Sequence, residues 1–151
     1  MPLLWVPNDR GKTALAEAWL QERIPHMAGG GIGAARYAAV VNEGEALAIV
    51  AFHQYDQPAR TMQVSMAAES PRWATRRTIA ELLAYAFERC GVYKLWTMQP
   101  DHEAGRRALR FNEGIGLKRE AVLPNQYGPG IGAIVAAMTQ PEWECSRWAS
   151  Q

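Results

Sequence analysis

Three arginines, Arg72, Arg76 and Arg77, crowd the start of the most regular helical pattern in the chain, and Arg106, Arg107 and Arg110 form a second basic group further on. Cations at a helix N-terminus oppose the helix dipole, so structure alone does not favour them there, whereas an anionic ligand does. The competing reading is a solvated basic helix end. Glu69 lies just upstream, at the end of the strand-like run Thr61–Ala67. A carboxylate in that place can act as a general base, or it can be a helix-start acid favoured by the dipole. Gln99 and Asn112 carry amides that can position a reacting group but cannot transfer a proton. The other reactive types make no pattern. Cys90 and Cys145 form no CxxC pair, and His26, His53 and His102 have no metal-ligand spacing, so no metal site is expected. The histidines read as surface or turn residues and Cys90 as core.

Two phosphate-binding motifs are approached and not met. Gly11-Lys12-Thr13 lacks the glycine a P-loop requires five positions earlier, where Val6 stands. Gly29-x-Gly31-x-x-Ala34 fits a loose dinucleotide fingerprint, but it leads into a strand instead of opening a helix, and it reads as a flexible loop.

The elements that must position these residues follow from periodicity. Leu3–Val6 reads as a strand, and Asn8 or Asp9 caps a helix reaching Arg23, with Leu15 and Trp19 facing inward. Runs at 36–41, 46–55 and 61–67 give three antiparallel strands separated by turns. Ile79, Leu82, Leu83, Ala86, Phe87 and Cys90 trace one helical face, closed by Gly91. Val92–Met98 is a strand. Asp101 caps a shorter helix through Glu113 with Gly114 behind it, and 117–123 and 131–138 are strands around a Pro- and Gly-containing turn. The order β-α-βββ-α-β-α-ββ is an α/β arrangement, a mixed sheet in which the unit Thr61–Met98 makes strands 4 and 5 parallel. The 151 residues suit one domain with a tail from about Gln140. Sixteen Lys and Arg balance fifteen Asp and Glu, for a net charge of +1, which disfavours nucleic acid as a partner. No run reaches the length of a membrane span and no signal peptide is visible, so a cytoplasmic protein is expected.

The segment Ala35–Trp148 resembles the Gcn5-related N-acetyltransferase (GNAT) superfamily, in particular a bacterial and prophage-type branch related to ribosomal-protein N-acetyltransferases. The resemblance is carried by Met66-Ala-Ala-Glu-Ser-Pro-Arg-Trp-Ala-Thr-Arg, entering the helix that ends Tyr85-Ala-Phe. It continues in Gly91-Val-Tyr-Lys-Leu, in Arg107-Ala-Leu-Arg-Phe-Asn-Glu-Gly-Ile-Gly-Leu-Lys-Arg-Glu and in Glu142-Trp-Glu-Cys-Ser-Arg-Trp. It implies an acyl-CoA N-acyltransferase fold whose strands 4 and 5 splay, with acetyl-CoA or another acyl-CoA as co-substrate. The implied cofactor residues are Met66, Ala67, Arg72, Trp73, Ala74, Thr75, Arg76 and Arg77, joined by Arg106. Loop amides and the helix start face the pyrophosphate, and a backbone N–H near Met66 or Ala67 faces the thioester oxygen. Glu69 and Asn112 are the implied catalytic positions.

The chain departs from that pattern in its loop, where no glycine occurs between Gly44 and Gly91 and Pro71 and Trp73, or neighbours one residue away, occupy the glycine positions. Counting back from Gly116, Gly105 stands at the usual CoA-side Asn position, and Asn112 at the position often held by a tyrosine acid. An acetyltransferase acting on a protein N-terminus or small amine is therefore one reading. The other is a degenerate fold used for binding or assembly, in which Trp143 and Trp148 would suit an interface, although the favoured reading of these two is simple packing against the sheet; a homodimer is one expected form. The acceptor is expected between the loops Pro25–Gly33 and Pro124–Gly130. Neither loop holds the acidic cluster a polyamine would need.

Overall fold

The computed structural model describes residues 2–27 and 30–149. Ala28 and Gly29, which open the glycine-rich loop and its unmet fingerprint, lie outside the described residues, as do Ser150 and Gln151 of the tail. The elements run β1 (Leu3–Trp5), α1 (Arg10–Arg23), β2 (Ala35–Asn42), β3 (Glu45–Asp56), β4 (Thr61–Ala68), α2 (Arg76–Ala84), β5 (Lys94–Pro100), α3 (Glu103–Ile115), β6 (Lys118–Leu123), β7 (Ala133–Thr139) and α4 (Gln140–Glu144). The strands form one seven-stranded mixed sheet in the order β1-β2-β3-β4-β5-β7-β6. All described pairings are antiparallel except β4 with β5.

The central strands are apolar on both faces because both are covered. Ala38, Val40, Val50, Phe52 and Met62 face α2 and α3, joined by Leu82, Leu83, Leu95 and Leu109. Tyr37, Ala39, Ile49 and Ala51 face α1. The β2–β3 hairpin closes on Glu43 and Gly44, both at positive φ, the geometry that matches strand twist.

Helix α1 is capped by Asp9, whose carboxylate accepts from the Lys12 amide. Its inward face differs from the expectation. Leu15 is 73% exposed, and Ala16 and Leu20 are buried instead. The helix is turned so that the small Ala16 can approach the sheet, and Trp19 lies half-buried under the Arg23 guanidinium at 3.8 Å.

The amphipathic helix is also shorter than its pattern. After Ala84 it widens into a π turn, Tyr85–Arg89, and Gly91 then takes a positive φ. Tyr85 meets Trp5 and Phe52, with ring centroids 4.5 and 4.9 Å away. Helix α3 is capped by His102, whose Nδ1 accepts from Gly105 N, while Asp101 pairs with Arg106 at 2.8 Å. It closes at Gly116, φ 125°, two residues beyond the expected Gly114. The tail folds inward: Trp143 stacks on Phe87 and Trp148 Nε1 donates to the Ile115 carbonyl at 2.7 Å, both rings being buried. These tryptophans therefore serve the chain's own core. Among the described residues no helix is long and apolar enough to cross a membrane.

Two packing details generate tests. A Cβ on Gly105 would lie 1.8 Å from the Pro100 carbonyl oxygen, so α3 touches the end of β5 through bare backbone. Gly114, on the same helix, has open space around it. Alanine is the better helix former by about 1 kcal/mol, so Gly114→Ala should stabilise by up to that amount. Gly105→Ala should destabilise by about 1–3 kcal/mol, the usual cost of overpacking. Urea titration of the two variants reads both signs; a stabilising Gly105→Ala would contradict the contact.

Contrary to its reading as a surface or turn residue, His53 is buried in β3, 4% exposed. Its Nε2 lies 2.8 Å from Ser65 Oγ, and its Nδ1 has no partner among the described residues. Burial pushes its pKa down from 6.5 to about 4. The folded state therefore holds the neutral ring while the unfolded chain takes up a proton below pH 6.5. Stability should fall as pH drops from 6.5 towards 4, by about 3 kcal/mol at most. His53→Gln should flatten that limb of the stability–pH curve, measured by denaturant titration between pH 4 and 8.

Candidate functional site

Strands β4 and β5 pair at Thr61–Lys94, Met62–Leu95 and Gln63–Trp96, and then the ladder stops. Both strands continue, β4 to Ala68 and β5 to Pro100. Each is held by its other neighbour: β4 to β3 as far as Ala68, and β5 to β7 as far as Pro100. Sheet twist separates strands secured on opposite sides. From Val64 onward β4 therefore turns one edge of N–H and C=O groups towards no strand at all.

A cavity of about 640 Å³ fills this opening. One wall is the β4 edge, Ser65 to Ala68, and another is α3, where Ala104, Gly105 and Ala108 leave clearance for a ligand. The β5 wall is polar but tied inward. Gln99 Nε2 donates to the Ile134 carbonyl at 2.9 Å, and Asn112 Nδ2 donates to Gln99 Oε1 at 3.0 Å and to Thr97 Oγ1 at 3.4 Å.

The mouth is built by the two loops expected to meet the acceptor. Pro25 and His26 come from one, Tyr127 from the other, and the His26 and Tyr127 rings approach to 4.7 Å. Burial, with the neighbouring His102 charge second, lowers the His26 pKa. Burial raises that of Tyr127, whose hydroxyl donates to the Met98 carbonyl at 3.4 Å. At neutral pH this places an uncharged imidazole beside a protonated phenol.

Of the residues singled out from sequence, Met66, Ala67, Trp73, Gln99 and Asn112 line the cavity, and Ala74 and Thr75 do not. Trp73 is buried and its ring meets Phe111 at 5.6 Å. Arg72, Arg76 and Arg77 are exposed around the start of α2, and no hydrogen bond or ion pair among the described residues engages their side chains. The loop before α2 has folded into a tight 3-10 turn, Pro71–Trp73, capped by Ser70. It uses its own amides: Arg72 N donates to Ser70 Oγ, Trp73 N to Ser70 O, Ala74 N to Pro71 O and Thr75 N to Trp73 O. Thr75 caps α2 by accepting from Thr78 N. That leaves the Arg76 and Arg77 amides as the orphan donors of this helix.

Glu69 does not line the cavity. Its carboxylate binds Arg23 at 2.6 Å, and Arg23 is the residue at the rim. Arg106 is likewise held by Asp101. Sequence reasoning singled out neither His26 nor Tyr127 as a site residue. The one available signal was their place in the two loops assigned to the acceptor side.

No family model matches the chain, and no curated protein matches it in sequence. Its fold does have relatives. The spermidine N-acetyltransferase SpeG of Vibrio cholerae, in its dodecameric structure, superposes with a TM-score of 0.69 at 15% identity, over 94% of this chain and 95% of that one. A chimera of that enzyme with hSSAT gives 0.72 at 13% identity over the whole of both chains. The crystal structure of a provisionally assigned acetyltransferase gives 0.63 at 19% identity over 74% of this chain; the match spans only 60% of that longer protein. Likeness at these identities speaks for architecture. With its seven-stranded mixed sheet opened between parallel β4 and β5, the chain has the GNAT-like fold.

Proposed function

We propose that the chain is an acyl-CoA-dependent N-acyltransferase acting on a single primary amine. The observation that carries this is the unpaired edge of β4 facing a cavity. Backbone donors and acceptors turned away from water need partners, and the amide-bearing arm of an acyl thioester supplies them as an added strand would. Clearance over Ala104, Gly105 and Ala108 suits that arm. The tight turn before α2 has used its own amides, so the diphosphate falls to the amides of Arg76 and Arg77 and the guanidiniums of Arg72, Arg76 and Arg77.

In the reaction, the amine nitrogen attacks the thioester carbonyl, a C–N bond forms, the C–S bond breaks, and the amine gives up a proton while the thiolate gains one. We assign the base to His26 in place of Glu69, because Glu69 is held by Arg23 outside the cavity. Tyr127 is the acid, in place of the phenol that α3 lacks at Asn112. Asn112 stays a wall residue that fixes Gln99. The Met66 or Ala67 amide is assigned to the carbonyl oxygen.

Among the described residues no Asp or Glu lines the cavity, whereas Arg23, His26 and His102 do. Several ammonium groups would find no counter-charge there. The proposed acceptor is therefore a protein N-terminus or a small monoamine, unlike the spermidine acceptor of SpeG.

The first test is binding. At acyl-CoA near 100 times its Kd, stabilisation should be about 2.7 kcal/mol, or roughly 5–11 °C in Tm for a domain of this size. Charge reversal at Arg76 and Arg77 should abolish the shift. No shift with acetyl-CoA, longer acyl-CoA or CoA would leave only the binding-module reading.

The second test is the pH profile of kcat/KM on an N-terminal peptide. The neutral form of His26 is required and its pKa is lowered, so the enzyme's own acid limb should lie below pH 6.5, separate from the titration of the peptide's α-amine at about 8. His26→Gln should lose about 100-fold and the acid limb with it. Faster turnover of spermine than of peptide would overturn the acceptor assignment.

A further inference from the structure

His53 is a buried titratable group that the proposed reaction leaves unused. It does not line the cavity, yet its Nε2 lies 2.8 Å from the Oγ of Ser65, which does. Its Nδ1 has no partner among the described residues. A polar ring buried with half its hydrogen-bonding capacity unmet is costly, and such a group calls for a reason. The one contact the ring does make is with a residue of the open strand.

Strand geometry sets the Ser65 hydroxyl beside an unpaired amide. Glu69 N donates to Leu47 O, so by the antiparallel alternation β4 spends the backbone groups of Ala67 and Ser65 on β3 as well. Met66 and Ala68 turn theirs to the open edge. Met66 N–H is therefore the amide available to a thioester oxygen, and Ser65 is the residue immediately before it. Side chains alternate along the strand: Val64 and Met66 join the core under α2 and α3, and Ala67 joins the core under α1. The Ser65 side chain shares the α1 face with Ala67, the face from which Arg23, Pro25 and His26 reach the cavity.

The tautomer of His53 decides what that hydroxyl can do. A proton on Nδ1 would be a buried donor with no acceptor, whereas a lone pair there is the lesser loss. The neutral ring therefore carries its proton on Nε2 and donates to Ser65 Oγ. Ser65 keeps its own O–H, which no described residue accepts. An imidazole that donates is not placed to take the serine proton, so Ser65 is not primed as a nucleophile. A hydroxyl with a spare donor suits an oxygen that gains negative charge.

Building on the acyltransferase reading, we infer that Ser65 is a further catalytic residue, its O–H donating to the thioester oxygen beside Met66 N–H, and that His53 is the positioning residue behind it. Both donors serve the tetrahedral intermediate, in which that oxygen is negative until the C–S bond breaks. The hydroxyl keeps its proton throughout, and the amine, His26 and Tyr127 exchange theirs as before.

The experiment measures kcat and KM separately, with acetyl-CoA and an N-terminal peptide, together with the Tm shift on acetyl-CoA. Ser65→Ala should lower kcat about 100-fold or more, the usual effect of removing one such donor, with KM and the Tm shift retained. Ser65→Thr keeps the hydroxyl and should recover most of the loss. His53→Leu should lower kcat too, by less than Ser65→Ala does. His53→Gln, whose amide can donate in place of Nε2, should restore it, which a packing role alone would not require. The Ser65 pair decides should His53→Leu fail to fold. An unchanged kcat in Ser65→Ala, or a loss confined to KM, overturns the assignment and leaves the acyltransferase reading standing. So does an acyl group found on Ser65 by mass spectrometry of the quenched reaction, which would make it a nucleophile. His53→Gln no better than His53→Leu overturns the role of His53. A wild-type chain that neither binds nor turns over acyl-CoA overturns both readings.

Discussion

The structure depends on where a hydrogen-bond ladder stops. Parallel pairing of β4 with β5 lasts for Thr61–Gln63 against Lys94–Trp96 and no further. A strand edge inside a fold is normally paired, covered or blunted, because its backbone groups cannot go without partners. Here the sheet is secured on both sides of the break by long antiparallel ladders, so the break is stable while the groups along it stay available. The cavity, the polar β5 wall and the loops over the mouth are all arranged around that interruption. A continuous β4–β5 ladder would give a flatter sheet with no site.

What keeps the opening from collapsing is close packing at its rims. Gly105 allows α3 to rest on the Pro100 carbonyl, which fixes the outer end of β5. The ion pair between Arg23 and Glu69 ties the end of α1 to the end of β4. Trp73, buried under the turn that precedes α2 and in contact with Phe111, spans from the β4 side to α3. Exposed ion pairs add little to stability, so the aromatic contact and the bare-backbone contact carry more of this load than Glu69 does. The residue that looked most like a catalytic base in sequence is thereby a strut at the rim.

The fold was legible in the sequence because its signals are local and redundant. Alternating apolar runs gave the meander, the spacing from Ile79 to Phe87 gave α2, and the strand–helix–strand unit required parallel β4 and β5. Errors arose where three-dimensional packing overrides a periodic pattern. Leu15 fits an inward stripe beside Trp19, and Trp19 does pack against the core, but the sheet accepts Ala16 and Leu20 in place of Leu15 because the smaller side chain allows closer approach. Asp101 is the better cap by residue type, but its carboxylate is taken by Arg106 and His102 caps in its place. The candidate site was legible only in part. Its strand and basic helix start lie in one stretch of sequence. His26 and Tyr127 are a hundred residues apart, and nothing in either local sequence announces that they meet.

In the proposed reaction the acid is Tyr127, and the surroundings of Asn112 say why it is not found on α3. On α3 its amide is buried and turned to Gln99 and Thr97, so this position closes the β5 wall instead of facing the reaction. A phenol there would have to displace that network or leave Gln99 Oε1 without its donor, and an unpaired buried amide is costly. The phenol that does border the cavity, Tyr127, reaches it from the β6–β7 loop and is anchored by the Met98 carbonyl on the opposite side. In the proposed reaction the proton donor therefore sits on the same mouth as the acceptor amine. Thr97, Gln99 and Asn112 meanwhile direct their donors to one another and to β7 carbonyls.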